Sequence, residues 1–179
     1  MERRLAQLTN DVKSGIFVLY SKRLNLCRSY GDEIPYENLL YIAVQYMHLA
    51  IVKNLLHIPG IINARIDNQT YLHIACQRPN YILNNLDEQK KLEIVKVLIA
   101  NGIDINAVNN SNSTALHSEA YNRLFDIARY LIEAGIDYTI KTNKGITARD
   151  ILVNNQEFEF LAWFDSYVEI PDIKEPDVY

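Results

Sequence analysis

The chain has 179 residues, 49% of them hydrophobic and 22% charged, with a formal net charge of -4. This composition excludes wholesale disorder, and a chain of this length reads as one domain that folds without a disulfide or a metal. The charge is uneven: residues 1–28 carry six basic side chains against Glu2 and Asp11, and the acids from Asp165 onward account for the whole net charge.

Taken in order, residues 1–35 place Leu5, Leu8, Val12, Ile16, Phe17, Leu19, Tyr20, Leu24 and Leu26 in a pattern that predicts two helices, an N-terminal cap or a degenerate repeat. A first unit over 36–66 has a helix at 37–45, with Leu40 and Ala43 inward, and a second at 49–56. The next unit, 67–108, opens on Thr-Tyr-Leu-His-Ile-Ala at 70–75 and closes on the apolar stripe and Asn101-Gly102 stop of 94–107, with an insertion at 77–89 between them. Unit 109–141 repeats the pattern as Thr-Ala-Leu-His-Ser-Glu-Ala at 114–120, then Ile127, Ala128, Leu131 and Ile132, then Gly135. Unit 142–164 starts on Thr-Ala-Arg-Asp-Ile-Leu at 147–152 and ends loosely on Phe160, Leu161 and Phe164; 165–179 is an acidic tail.

The threonine motifs at 114 and 147 are 33 residues apart, and those at 70 and 114 are 44 apart, which accounts for the insertion. Each unit predicts two short helices, with Asn68, Asn112 or Gly145 at the bend of a connecting finger. No such pair buries its stripe alone, so stacking must do it. The period, the two motifs and their order resemble the ankyrin repeat, with Tyr71 and Ala115 in place of its proline. The resemblance implies an all-α solenoid of about four helix-turn-helix units with hairpin fingers and helical caps at both ends. Phe158, Phe160, Leu161, Trp163 and Phe164 are too apolar for an exposed last helix, so either 165–179 folds back on them or a partner covers them.

Candidate chemistry is sparse. Cys27 and Cys76 belong to no paired motif and read as small apolar residues. His73 and His117 fall where the resemblance places a helix-start histidine that bonds into the neighbouring turn, and they lack the convergent ligands a zinc site needs. No nucleophile has a base and an orienting group beside it, so an enzyme is not expected, and neither is a cofactor, a metal or a small-molecule substrate. Glu119 occupies an alanine position of the pattern, where a buried carboxylate needs a raised pKa or a donor, or must snorkel to the groove rim. The insertion holds Tyr81, Ile82, Leu83 and Leu86, apolar for a free loop, and reads as either packing or recognition.

The resemblance implies a concave protein-binding face made by the fingers and the exposed side of the first helices. Its candidate residues are Gln45, Tyr46, Asp67, Gln69, Gln77, Tyr81, Asn110, Ser111, Ser113, Glu119, Tyr121, Asn122, Asn143, Lys144 and Ile146, with Asn154 and Asn155 at its end. It also permits asparagine hydroxylation at Asn63 and Asn106. Residues 1–164 are neutral, which argues against nucleic acid. The longest apolar run, 39–44, is far short of a membrane span, and the amino terminus lacks a secretory signal's apolar core. The expectation is an intracellular, cytoplasmic adaptor or inhibitor binding a folded protein partner. The alternatives are a pathogen or viral effector delivered into a host cell, such as one resembling the inhibitors of NF-kappa-B, and a tag read through the acidic tail.

Overall fold

A computed structural model describes residues 1–78 and 85–169. Ten helices follow in order among them: α1 (Glu2–Ser14), α2 (Phe17–Ser29), α3 (Tyr36–Gln45), α4 (Leu49–Leu55), α5 (Tyr71–Ala75), α6 (Asn85–Ala100), α7 (Ala115–Asn122), α8 (Phe125–Glu133), α9 (Ala148–Asn154) and α10 (Phe158–Glu169). They pack as antiparallel pairs in a stack. The first helices α1, α3, α5, α7 and α9 form one row, and α2, α4, α6 and α8 form the row behind it. The architecture is the all-α repeat stack the sequence predicts. One core runs through it from Leu8 and Tyr20 to Phe160 and Phe164.

The repeated threonine explains where each first helix begins. At Thr70 and Thr114 the residue three positions on is a histidine, and the two close a capping box. The Thr70 and Thr114 backbone N–H groups donate to Nδ1 of His73 and His117, at 3.3 and 3.1 Å. Each ring is therefore neutral with its proton on Nε2, which donates onward to the next unit: His73 to the Ser113 carbonyl at 2.9 Å, His117 to the Ile146 carbonyl at 3.2 Å. One residue both caps its own helix and pins the following finger. At Thr147 the third residue is Asp150, whose carboxylate accepts from the Thr147 N–H and hydroxyl, both at 2.8 Å. An acceptor there can cap the helix but cannot donate to a further finger.

Burial holds both imidazoles below the ordinary histidine pKa. Stability from the neutral rings is present above that ordinary value and is lost as pH falls below it toward the depressed native value. His117→Ala orphans the Thr114 N–H and takes one of two donors from the Ile146 carbonyl, which keeps the Thr142 N–H at 2.9 Å. One buried polar group left unpaired costs about 1–3 kcal/mol, the loss expected in urea unfolding at pH 7.5. The pH dependence just below neutrality should flatten in the variant.

The fingers turn where left-handed backbone is needed. Asp67 and Asn68 have φ of 50° and 58°, and Ile66 and Gln69 exchange backbone bonds at 3.0 and 2.9 Å across them. That is a two-residue turn with both central residues at positive φ, which suits an Asp-Asn pair. Asn112 and Gly145 turn the next two fingers at φ of 55° and 74°.

At the front of the stack, α1 packs on α3 and α2 on α4, as the helices of successive units do. Gly15 ends α1 at φ 68°, and a Cβ there would strike the His48 ring, which donates from Nε2 to the Lys13 carbonyl at 2.9 Å. At the far end, Phe160 stacks on Phe125 at 4.6 Å and Phe164 meets Tyr138 edge-on at 5.5 Å. The guanidinium of Arg129 lies over Trp163 at 4.8 Å. Most of the apolar last helix is thus covered by α8 and its loop. Residues 170–179, the rest of the tail, lie outside the described residues. Two features differ from the sequence reading. Residues 85–89 of the insertion extend α6 at its amino end, and 165–169 of the tail complete α10. Both continue helices whose packed part supplies the anchor. Tyr81, Ile82 and Leu83 of the insertion lie outside the described residues.

Candidate functional site

The first helices end in equivalent positions on one face. Gln45, Gln77, Tyr121 and Asn154 hold the same register in α3, at the end of α5, in α7 and in α9, and all four are exposed. Tyr46 follows Gln45, is 48% exposed, and stacks on His48 with ring centroids 6.3 Å apart. Tyr121 is 71% exposed and is the most open aromatic of the row. Gln77 donates to the side-chain carbonyl of Gln69, so helix end and finger meet across the groove.

Many of the expected finger amides bond to one another. Asn68 donates to the Asn110 side-chain oxygen at 2.9 Å, and Asn143 donates to the Asn110 carbonyl at 3.0 Å. Asn112 donates to the Lys141 carbonyl at 2.6 Å, and the Asn143 N–H to the Ser111 carbonyl at 2.9 Å. Arg65 reaches from one finger to the Val108 carbonyl of the next at 3.0 Å. The carbonyls of Ser113 and Ile146 accept from the capping histidines. These bonds lock the finger edge as a rigid strip. Asp67, Ser111 and Lys144 remain exposed along it. Asn122 is half-buried and donates to the Cys76 carbonyl at 3.0 Å, which ties α7 to α5. Asn106 accepts from the Asp137 N–H at 2.7 Å and so joins two units. Asn63 ends a short 3-10 turn, Ile61–Asn63, and is exposed.

Glu119 lies elsewhere than a binding face requires. It is 0% exposed, and its carboxylate sits 3.1 Å from the ammonium of Lys91, itself 3% exposed. Among the described residues, neither group has another hydrogen-bond partner with good geometry. The Cys76 thiol also faces Glu119, and burial pushes that thiol well up. Burial drives the Glu119 carboxyl up to about 7, against the pull of Lys91. The pair spans two units, from α6 to α7. Lys91 escapes sequence reading because it stands three residues before Ile94, where the other units carry His48 and Leu124. A lysine facing an alanine slot filled by glutamate is the signal that finds it.

A recess of about 380 Å³ opens between the start of α6 and the α7–α8 turn, lined by Glu88, Leu92, Arg123, Phe125 and Ile127 among others. None of the residues picked out for the concave face lines it. Among the described residues, no helix is long and apolar enough to cross a membrane.

A family model described as ankyrin repeats, in three copies, matches residues 40–142. The chain is 30% identical over 129 residues to alpha-latroinsectotoxin-Lt1a of Latrodectus tredecimguttatus, covering 66% of this chain and 8% of that protein. It is 29% identical over 115 residues to the putative ankyrin repeat protein L271 of Acanthamoeba polyphaga mimivirus, covering 64% of this chain and 15% of that protein. The chain therefore spans only a small part of the length of these relatives.

Proposed function

The chain belongs to the ankyrin-repeat family, a generally non-catalytic family whose repeats bind protein partners, and on that premise we propose that it binds one folded protein through the concave face. The observation that carries this is the alignment of exposed Gln45, Tyr46, Gln77, Tyr121 and Asn154 beside a finger edge stiffened by its own amide bonds. A rigid surface loses little conformational entropy on binding. Large aromatics on such a surface are typical anchors. The partner surface must be amide- and tyrosine-compatible, and the exposed charged residues along the finger edge include Arg65, Asp67, Lys141 and Lys144.

Quantitative affinity capture tests this with three baits: the wild type, Tyr121→Ala on the concave face, and Lys53→Ala on the exposed side of α4. The expected result is a partner retained by wild type and Lys53→Ala and depleted on Tyr121→Ala. Equal loss on Lys53→Ala would move the site to the second helices. A narrower reading, an effector aimed at a host pathway, draws its support from the mimivirus relative. It uses the same face and predicts that the captured partner is a host protein.

A further inference from the structure

The two ends of the stack carry apolar stripes of opposite charge surroundings. On α2 the buried positions are Tyr20, Leu24 and Cys27. Tyr20 bonds Asn54 of α4 at 2.9 Å, and Arg28 reaches forward to Tyr36 at 3.1 Å. Leu19 and Leu26 stand about half a turn round the helix from Arg28, and with Tyr30 they make one exposed stripe facing away from the first unit. Tyr30 is 65% exposed. Arg4 lies over the Tyr30 ring at 4.3 Å and pairs with Asp32 at 2.7 Å, and Arg23 of α2 pairs with Asp11 at 2.6 Å; residues 1–33 carry six basic side chains against four acidic ones.

At the other end, Phe160 and Trp163 turn toward Phe125 and Arg129 of α8. Phe158 and Ala162 lie about half a turn from Phe160, facing away from the stack, and Phe158 is 67% exposed. Exposed Val153 of α9 adds to this face. α10 carries Glu159, Asp165 and Glu169 and no basic residue. Asp165 is held below the usual carboxylate range by the Arg149 guanidinium.

We propose that the chain associates with itself end to end, the face of Val153, Phe158 and Ala162 stacking on the Leu19, Leu26 and Tyr30 stripe of a second copy. Net charge selects this occupant: residues 1–33 carry six basic against four acidic side chains, and 147–169 carry one basic against five acidic. Repeat geometry allows it, because each unit within the chain already stacks its back on the next unit's front. The contact joins different surfaces, so it does not close on two chains and extends with concentration.

Sedimentation equilibrium tests this across low-micromolar to near-millimolar chain, at low and high salt. The wild type should gain average mass with concentration, and less so at high salt. Leu26→Glu blocks the front and Phe158→Lys blocks the back; each site is exposed, and circular dichroism checks the fold. Each variant alone should stay monomeric, with self-association weakened at least tenfold. Mixed, they should form a dimer and nothing larger, because one free back meets one free front. A wild type that stays monomeric throughout overturns the proposal. So does either variant that self-associates like the wild type, or a mixture that stays monomeric while the wild type assembles.

Discussion

Glu119→Ala should cost the fold about 3–5 kcal/mol, the usual effect of removing one partner from a buried ion pair. The reason lies in what is left behind. Lys91 is 3% exposed and, among the described residues, has no other partner with good hydrogen-bond geometry. Its ammonium would remain in the core between two units without the Glu119 carboxylate. The second change, Lys91→Met, removes that orphan. It also leaves alanine at 119, the residue that units one and two carry as Ala43 and Ala75. Apolar replacements of buried pairs are commonly neutral or stabilising by roughly 1–4 kcal/mol. The double variant should therefore return to wild-type stability or exceed it. Urea midpoints at unchanged slope, taken at pH 8 where the Glu119 carboxyl is mostly ionised, give the comparison. A double variant as unstable as Glu119→Ala would show that the loss comes from packing and not from charge.

The same pair sets a pH signature. The Glu119 carboxyl is pushed up to about 7 by burial, with Lys91 pulling the other way. Between the ordinary carboxyl value and about 7, the folded chain holds a proton that the unfolded chain has released. Stability therefore falls as pH rises through that window. Glu119→Gln removes this slope. Wild type should lose stability relative to Glu119→Gln between pH 5 and pH 8. The buried histidines act in the opposite sense in both chains, so their effect cancels in the difference.

The second large effect is on binding. Among the described residues, Tyr46 and Tyr121 are the exposed aromatics of the concave row. Tyrosine anchors at interface centres cost about 2 kcal/mol or more on truncation, which is roughly a thirtyfold loss of affinity each. Tyr46→Ala also removes the ring that stacks on His48, and His48 holds the α1 turn. Its effect on folding should be small but measurable. Tyr121 touches little, so Tyr121→Ala should leave the melting temperature unchanged. Titration calorimetry with the captured partner separates the two roles.

Much of this was legible in the residues. The threonine motifs gave three of the units, because the starts of α5, α7 and α9 share one side-chain capping box. Asn68, Asn112 and Gly145 marked the finger bends, because few residues tolerate positive φ. Legibility ended where a residue acts through another unit. Glu119 could be recognised as odd, but Lys91 lies 28 positions earlier on a helix that the insertion lengthens. The finger asparagines read as a binding surface because a one-dimensional pattern shows amides without their partners. In three dimensions Asn68, Asn110 and Asn143 spend those amides on one another. That shifts the proposed contact surface toward Gln45, Tyr46, Tyr121 and Lys144. The exposed stripes at the stack ends were hidden for the same reason: helical spacing shows that Leu19 and Phe158 are apolar positions, but not which side of the stack they face.

The most direct test of the concave-face proposal is hydroxyl-radical footprinting of tyrosines in the purified complex with the captured partner, at chain concentrations below self-association. Protection of Tyr46 and Tyr121, with Tyr30 as reactive as in the free chain, is the expected result. Unchanged reactivity at Tyr46 and Tyr121 in a saturated complex would contradict it.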